Sequence, residues 1–109
     1  MKIKKTRNSQ RKEKYEQMSA PKAQLDFHDF GPMQEAEIVN KVRDFISECA
    51  SGQIDRLLII TGKGYHSKNG QSVVKPLVER TLRKCEEVDF FADARRDRGG
   101  EGAIEVKLN

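Results

Sequence analysis

Leu57-Leu58-Ile59-Ile60-Thr61-Gly62-Lys63-Gly64 is the stretch on which the fold turns. Four consecutive apolar residues between Arg56 and Thr61, followed by a glycine-bearing loop, read as a strand buried on both faces. Such a strand belongs in the middle of a sheet. The loop that follows, residues 61–70, holds Gly62, Gly64 and Gly70. In open α/β sheets ligands sit at the carboxyl ends of strands. Glycines there let the backbone approach a ligand and present N–H groups to an anion, and Lys63 adds charge. The spacing matches neither the Walker A loop nor the G-x-G-x-x-G dinucleotide fingerprint. The alternative is a tight turn that happens to be basic.

Moving upstream, Val39, Val42, Ile46 and Cys49 recur at spacings of three and four, which predicts an amphipathic helix over about residues 33–50. Ser51-Gly52 ends it, and Gly31-Pro32 breaks the chain before it. Before that break Leu25 and Phe27 alternate with Asp26 and His28, the pattern of a short strand with one buried face. Downstream, Val73, Val74, Leu77, Val78, Leu82 and Cys85 predict a second helix, which starts at Pro76 or holds it in the first turn. Residues 88–92 read as a strand and 95–102 as a charged, mobile loop. Ile104, Val106 and Leu108 alternate with Glu105 and Lys107, giving a last strand with one wet face. The order is β-α-β-α-β-β. It predicts a two-layer α/β sandwich over residues 23–109: a four-stranded mixed sheet with parallel crossovers, a final antiparallel pair and two helices.

The chain has 109 residues, enough for one domain. Charged residues make up 35% and hydrophobic ones 36%, so part of the chain is expected to stay unpacked. The formal charge of +4 is unevenly spread. Residues 1–22 hold eight basic and two acidic side chains and carry +6, leaving −2 on the remainder. We read this segment as a basic, flexible tail, either an arm for the phosphates of nucleic acid or ribosomal RNA or a solvated extension. The longest wholly apolar run is residues 57–60, so neither a membrane-spanning helix nor a secretory signal is expected. Two cysteines, Cys49 and Cys85, sit at the ends of helix stripes and read as core residues of a cytoplasmic protein.

Strand periodicity puts Asp26 and His28 on one face. A carboxylate beside an imidazole fixes its tautomer and stabilises its protonated form, as acid–base catalysis requires. His66, in Tyr65-His66-Ser67-Lys68, is the chain's other histidine. If the first two strands are parallel neighbours, both histidines open on one edge of the sheet with Lys63. There one group could remove a proton from an RNA 2′-hydroxyl while another protonates the leaving oxygen, a route without metal. Asp26, His28 and His66 could instead ligate a divalent cation, although their scattered spacing is a weak signature. Arg95, Arg96 and Arg98, before Gly99-Gly100-Glu101-Gly102, are candidates for gripping a nucleic-acid backbone or simply part of a solvated turn.

Together these motifs resemble the Smr (small MutS-related) domain family over about residues 24–109. The resemblance rests on Leu25-Asp26-Phe27-His28, Glu35-Ala36, Leu58-Ile59-Ile60-Thr61-Gly62-Lys63-Gly64, His66-Ser67, Gly99-Gly100-Glu101-Gly102-Ala103 and Val106-Lys107-Leu108, in that order. It implies a fold similar to the C-terminal domain of bacterial translation initiation factor 3. It also implies nucleic-acid binding, with endonuclease activity that cuts RNA or nicks DNA in several members and action at the ribosome in some. By the resemblance, Asp26 and His28 belong to the cleavage motif; the co-location of both histidines with the glycine loop adds His66 as an assisting group. The resemblance also puts Thr61, Gly62, Lys63 and Gly64 in the binding motif; the residues' own character adds Ser67, Lys68, Arg95, Arg96 and Arg98 as further candidate contacts. The chain departs from the family where Asp29 follows His28 in place of glycine, which sets a second carboxylate there. The resulting expectation is a monomeric nucleic-acid-binding protein, an endonuclease with no firm cofactor; the alternative is a non-catalytic nucleic-acid or ribosome-binding module.

Overall fold

The structure, a computed structural model, describes residues 20–27, 30, 32–62 and 74–109. Its elements run β1 (Ala23–Asp26), α1 (Glu35–Ser51), β2 (Arg56–Ile60), α2 (Val74–Lys84), β3 (Val88–Asp93) and β4 (Ala103–Leu108). The sheet order is β1-β2-β4-β3. β1 and β2 are parallel, and β4 is antiparallel to both of its neighbours. The alternation of helix and strand predicted this α+β sandwich, and the apolar run 57–60 does occupy a central strand.

One face of the sheet meets the helices. Ile38, Val42 and Ile46 of α1 pack with Leu77, Val78 and Leu82 of α2 over Leu57 and Ile59 of β2 and Ile104 and Val106 of β4. Each such side chain contributes roughly 1.5–3 kcal/mol through burial. The innermost stripe of α1 includes Ile38; Val39 is only half-buried and turns toward α2. Pro76 falls in the first turn of α2, where its missing N–H leaves no helical bond unmade. Cys49 and Cys85 are buried and unbridged.

Three expectations change. β1 stops at Asp26, and Phe27 already lies in a helical turn that swings its ring into the core. The shared face of Asp26 and His28 assumed a strand through residue 28, and His28 lies outside the described residues. The wet face expected of β4 fails at Glu105, which has no exposed surface. β4 is an interior strand, and the chain after β3 folds back over that carboxylate. That same chain, residues 95–102, is consequently a built feature of two 3-10 turns, Arg96–Arg98 and Gly100–Gly102.

Most of the basic segment lies outside the described residues. Its last residue, Lys22, donates its backbone N–H to the Arg56 carbonyl at 2.9 Å, so the chain enters the sheet at the start of β2. No helix among the described residues is long and apolar enough to cross a membrane.

Candidate nucleic-acid interface

β1, β2 and β3 all run toward one edge of the sheet, and both helices begin there. The register sets Asp26 opposite Ile60, and Ile60 opposite Ala103. Asp26 therefore ends its strand level with the end of β2, one strand spacing of about 4.8 Å away. Alternation puts Asp26 on the face away from the helices, where it is half-buried. The parallel β1–β2 pair was the condition for the two motif loops to share an edge.

The carbonyl of Gly102 joins the two strand-end loops. It accepts the N–H groups of both Thr61 and Gly62, each at 2.9 Å. The Thr61 hydroxyl lies 3.3 Å from the Gly62 carbonyl and 3.4 Å from that of Gly102. It faces this junction, and Thr61 is buried. Gly62 has φ +83°, a conformation that glycine adopts without strain.

Glu105 holds the 95–102 turn from beneath. One carboxylate oxygen accepts the Arg95 N–H at 2.9 Å, and the other lies 2.6 Å from Arg98 Nη1. The Arg98 side chain is itself only 17% exposed. Arg98 is thereby engaged inside the turn. Arg95 and Arg96 are exposed, with Arg95 Nε 3.4 Å from Asp97. Gly99 has φ +120°, and a Cβ there would come within 2.8 Å of the Ala103 Cβ. At the start of α2, Lys75 lies 2.8 Å from Asp93 and donates to the Glu101 carbonyl at 3.0 Å.

Among the predicted site residues, the edge thus gathers Asp26, Thr61, Gly62, Arg95, Arg96 and Arg98. His28, Lys63, Gly64, His66, Ser67 and Lys68 lie outside the described residues. Among the described residues no cluster of three metal-ligating side chains occurs. Sequence reasoning missed Glu105 and Lys75. Glu105 was hidden by its place in an alternating strand; the available signal was Arg98 across the hairpin from it. Lys75 carried a weaker one, a cation opening a helix whose dipole disfavours it unless an acid stands near.

The architecture and this edge define a class: small two-layer domains of β-α-β-α-β-β order whose glycine-bearing loops meet at one end of a mixed sheet. Within that class, the chain belongs to the Smr domain family, whose model matches residues 25–109. The family is linked to nucleic-acid binding and to nuclease activity. The chain is similar to YdaL, a stand-alone small MutS-related protein from Escherichia coli, with TM-score 0.72 and 26% identity over 87% of this chain and 70% of that one. It shares its fold with the Smr domain of Thermus thermophilus MutS2, with TM-score 0.65, 24% identity and coverage of 80% and 98%. An uncharacterised protein of Treponema pallidum (strain Nichols) is 33% identical over 91 residues. That match takes in 83% of this chain but only 43% of the relative's length.

Proposed function

We propose that this protein binds nucleic acid at the edge formed by the ends of β1 and β2 and the 95–102 turn, and cleaves RNA there. The observation that carries the reading is the level register of Asp26 with the end of β2. It brings Leu25-Asp26 and Thr61-Gly62, the described parts of two motifs separated by more than thirty residues of sequence, to neighbouring strand ends. Asp26 orients His28. His28 and His66 share the proton transfers: one removes the 2′-hydroxyl proton and the other protonates the departing 5′-oxygen. The 2′-oxygen bonds to phosphorus as the bond to the 5′-oxygen breaks, leaving a cyclic phosphate and a free 5′-hydroxyl. Lys63 and Gly64 supply loop amides and charge for the phosphate, while Thr61 and Gly62, whose amides are donated to the Gly102 carbonyl, anchor the start of that segment. Ser67, Lys68, Arg95 and Arg96 add polar and cationic contacts, and residues 1–22 act as a phosphate-contacting arm.

The test incubates end-labelled single-stranded RNA, structured RNA and supercoiled DNA with the full chain, with magnesium or with EDTA. We expect RNA cleavage that survives EDTA and is lost in His28→Ala and Asp26→Asn. Cleavage abolished by EDTA would overturn the metal-free route and make Asp26, His28 and Asp29 candidate ligands for a divalent cation. Asp29 in place of the family's glycine favours one second reading, a non-catalytic binding module. Salt-sensitive binding without cleavage of any substrate would establish it.

A further inference from the structure

α1 and α2 lie side by side, and a groove of about 370 Å³ runs between them. Arg43 lines the α1 wall together with Val39 and Asn40, and Arg80 and Lys84 line the α2 wall. All three cations are exposed. Among the described residues none has an acid within ion-pair distance, whereas Arg56, Lys75, Arg95, Arg98 and Lys107 are all paired. The one acid lining the groove is Glu35, at its upper end. Three such cations concentrated in one groove are unexpected on a module whose residues 23–109 carry −2.

Their placement along the helices gives them a direction. Both helices begin at the edge that carries the candidate site. Arg80 is six residues beyond the start of α2 at Val74, Arg43 eight beyond the start of α1 at Glu35, and Lys84 ten beyond Val74. At 1.5 Å per residue they lie about 9, 12 and 15 Å below that edge. Cations graded along one groove suit an extended polyanion that leaves the edge and descends between the helices.

We propose that the α1–α2 groove is a second nucleic-acid contact, a track for the single strand flanking the segment held at the sheet edge. Arg43, Arg80 and Lys84 bind its phosphates. The proposal rests on the nucleic-acid-binding reading above and adds a surface remote from its motifs. Its contacts are to backbone, so it predicts length dependence without sequence preference.

The test measures binding of fluorescein-labelled 2′-O-methyl oligouridylates, which the proposed transphosphorylation cannot cut. Lengths of about four and about twelve nucleotides span the single-strand site sizes of small domains. The variant is Arg43→Gln/Arg80→Gln, two exposed helix positions where glutamine keeps helix propensity. For the longer strand the slope of log K against log salt should fall by about 1.4, the loss of two single-strand phosphate contacts. Affinity for the short strand, and the melting temperature, should not change. The charge-preserving variant Arg43→Lys/Arg80→Lys should restore the slope. Equal affinity of wild type and variant for the long strand would overturn the groove while leaving the edge intact, as would equal weakening at both lengths. Failure of the wild type to bind either length would overturn the parent reading and the groove with it.

Discussion

Glu105 is a carboxylate with no exposed surface, and its partners are specific: the Arg95 N–H and the Arg98 guanidinium. Removing one member of a buried pair leaves the other unsatisfied, at a typical cost of about 3–5 kcal/mol. Here Arg98 retains a little solvent access, so Glu105→Ala should destabilise by roughly 2–3 kcal/mol in urea unfolding. Glu105→Leu should cost as much despite its larger apolar volume, because the lost acceptor decides the outcome. A variant within about 0.5 kcal/mol of wild type, the ordinary range of surface substitutions, would contradict this account. The residue also marks a limit of sequence reading. Alternation correctly set Ile104, Val106 and Leu108 inward and Glu105 on the opposite face. It could not tell that the chain after β3 would cover that face. The identity of the side chain argued for water, and the tertiary covering prevailed.

The end of α1 shows the same limit for an element. Ser51-Gly52 announces a helix terminus, and the helix does stop at Ser51. The left-handed residue, however, is Gln53 at φ +60°; Gly52 has an ordinary negative φ. The Ile54 N–H bonds to the Cys49 carbonyl at 2.9 Å and the Gln53 N–H to that of Ala50 at 3.1 Å, the pairing of a Schellman motif. Ile54 packs on the core beside this junction, which fixes the register of the turn. The glycine therefore stands one position before the place that needs it. A left-handed conformation costs a non-glycine residue about 1–2 kcal/mol. Gln53→Gly should stabilise the protein by about 1 kcal/mol, read as a rise in melting temperature. The same change combined with Ile54→Ala should gain less, because the apolar contact that holds the turn is then lost. An unchanged or lower melting temperature in Gln53→Gly would show that the glutamine is not strained. The elements themselves were legible because hydrophobic periodicity switches cleanly between helix and strand. The end of the helix was legible in Ser51-Gly52, but the left-handed residue was not, because composition signals a turn without fixing which residue takes the positive φ.

At the scale of the molecule, the described ion pairs fall at both ends of the sheet. The candidate site occupies the edge where β1, β2 and β3 finish. At the opposite edge Asp55 lies 3.1 Å from Lys107 and 3.5 Å from Arg56. The hydrogen bond from Lys107 is the main cause that holds the Asp55 carboxyl below its ordinary value, with the nearby charges of Lys107 and Arg56 adding to it and partial burial opposing it. A depressed carboxylate contributes stability above its unfolded-state pKa and loses it as pH falls through its folded value. Asp55 is 40% exposed, so solvent screening keeps the contribution within about 1 kcal/mol. Asp55→Asn should thus be slightly less stable than wild type at neutral pH. That gap should close as pH falls below about 4, and a constant gap down to strong acid would reject the ion pair as its source. The topology that separates these two edges was readable from element order alone. Which cations are paired within the molecule and which face a groove was not, because pairing depends on distances between elements far apart in sequence.

The Gly102 carbonyl has one further consequence. An oxygen with two lone pairs, already shared by the Thr61 and Gly62 amides, makes those protons inaccessible until the 95–102 turn lifts away. Deuterium should then enter both amides through one shared local opening, and its rate should report the turn's closure from a site on the other loop. Whatever clasps either loop slows exchange in both.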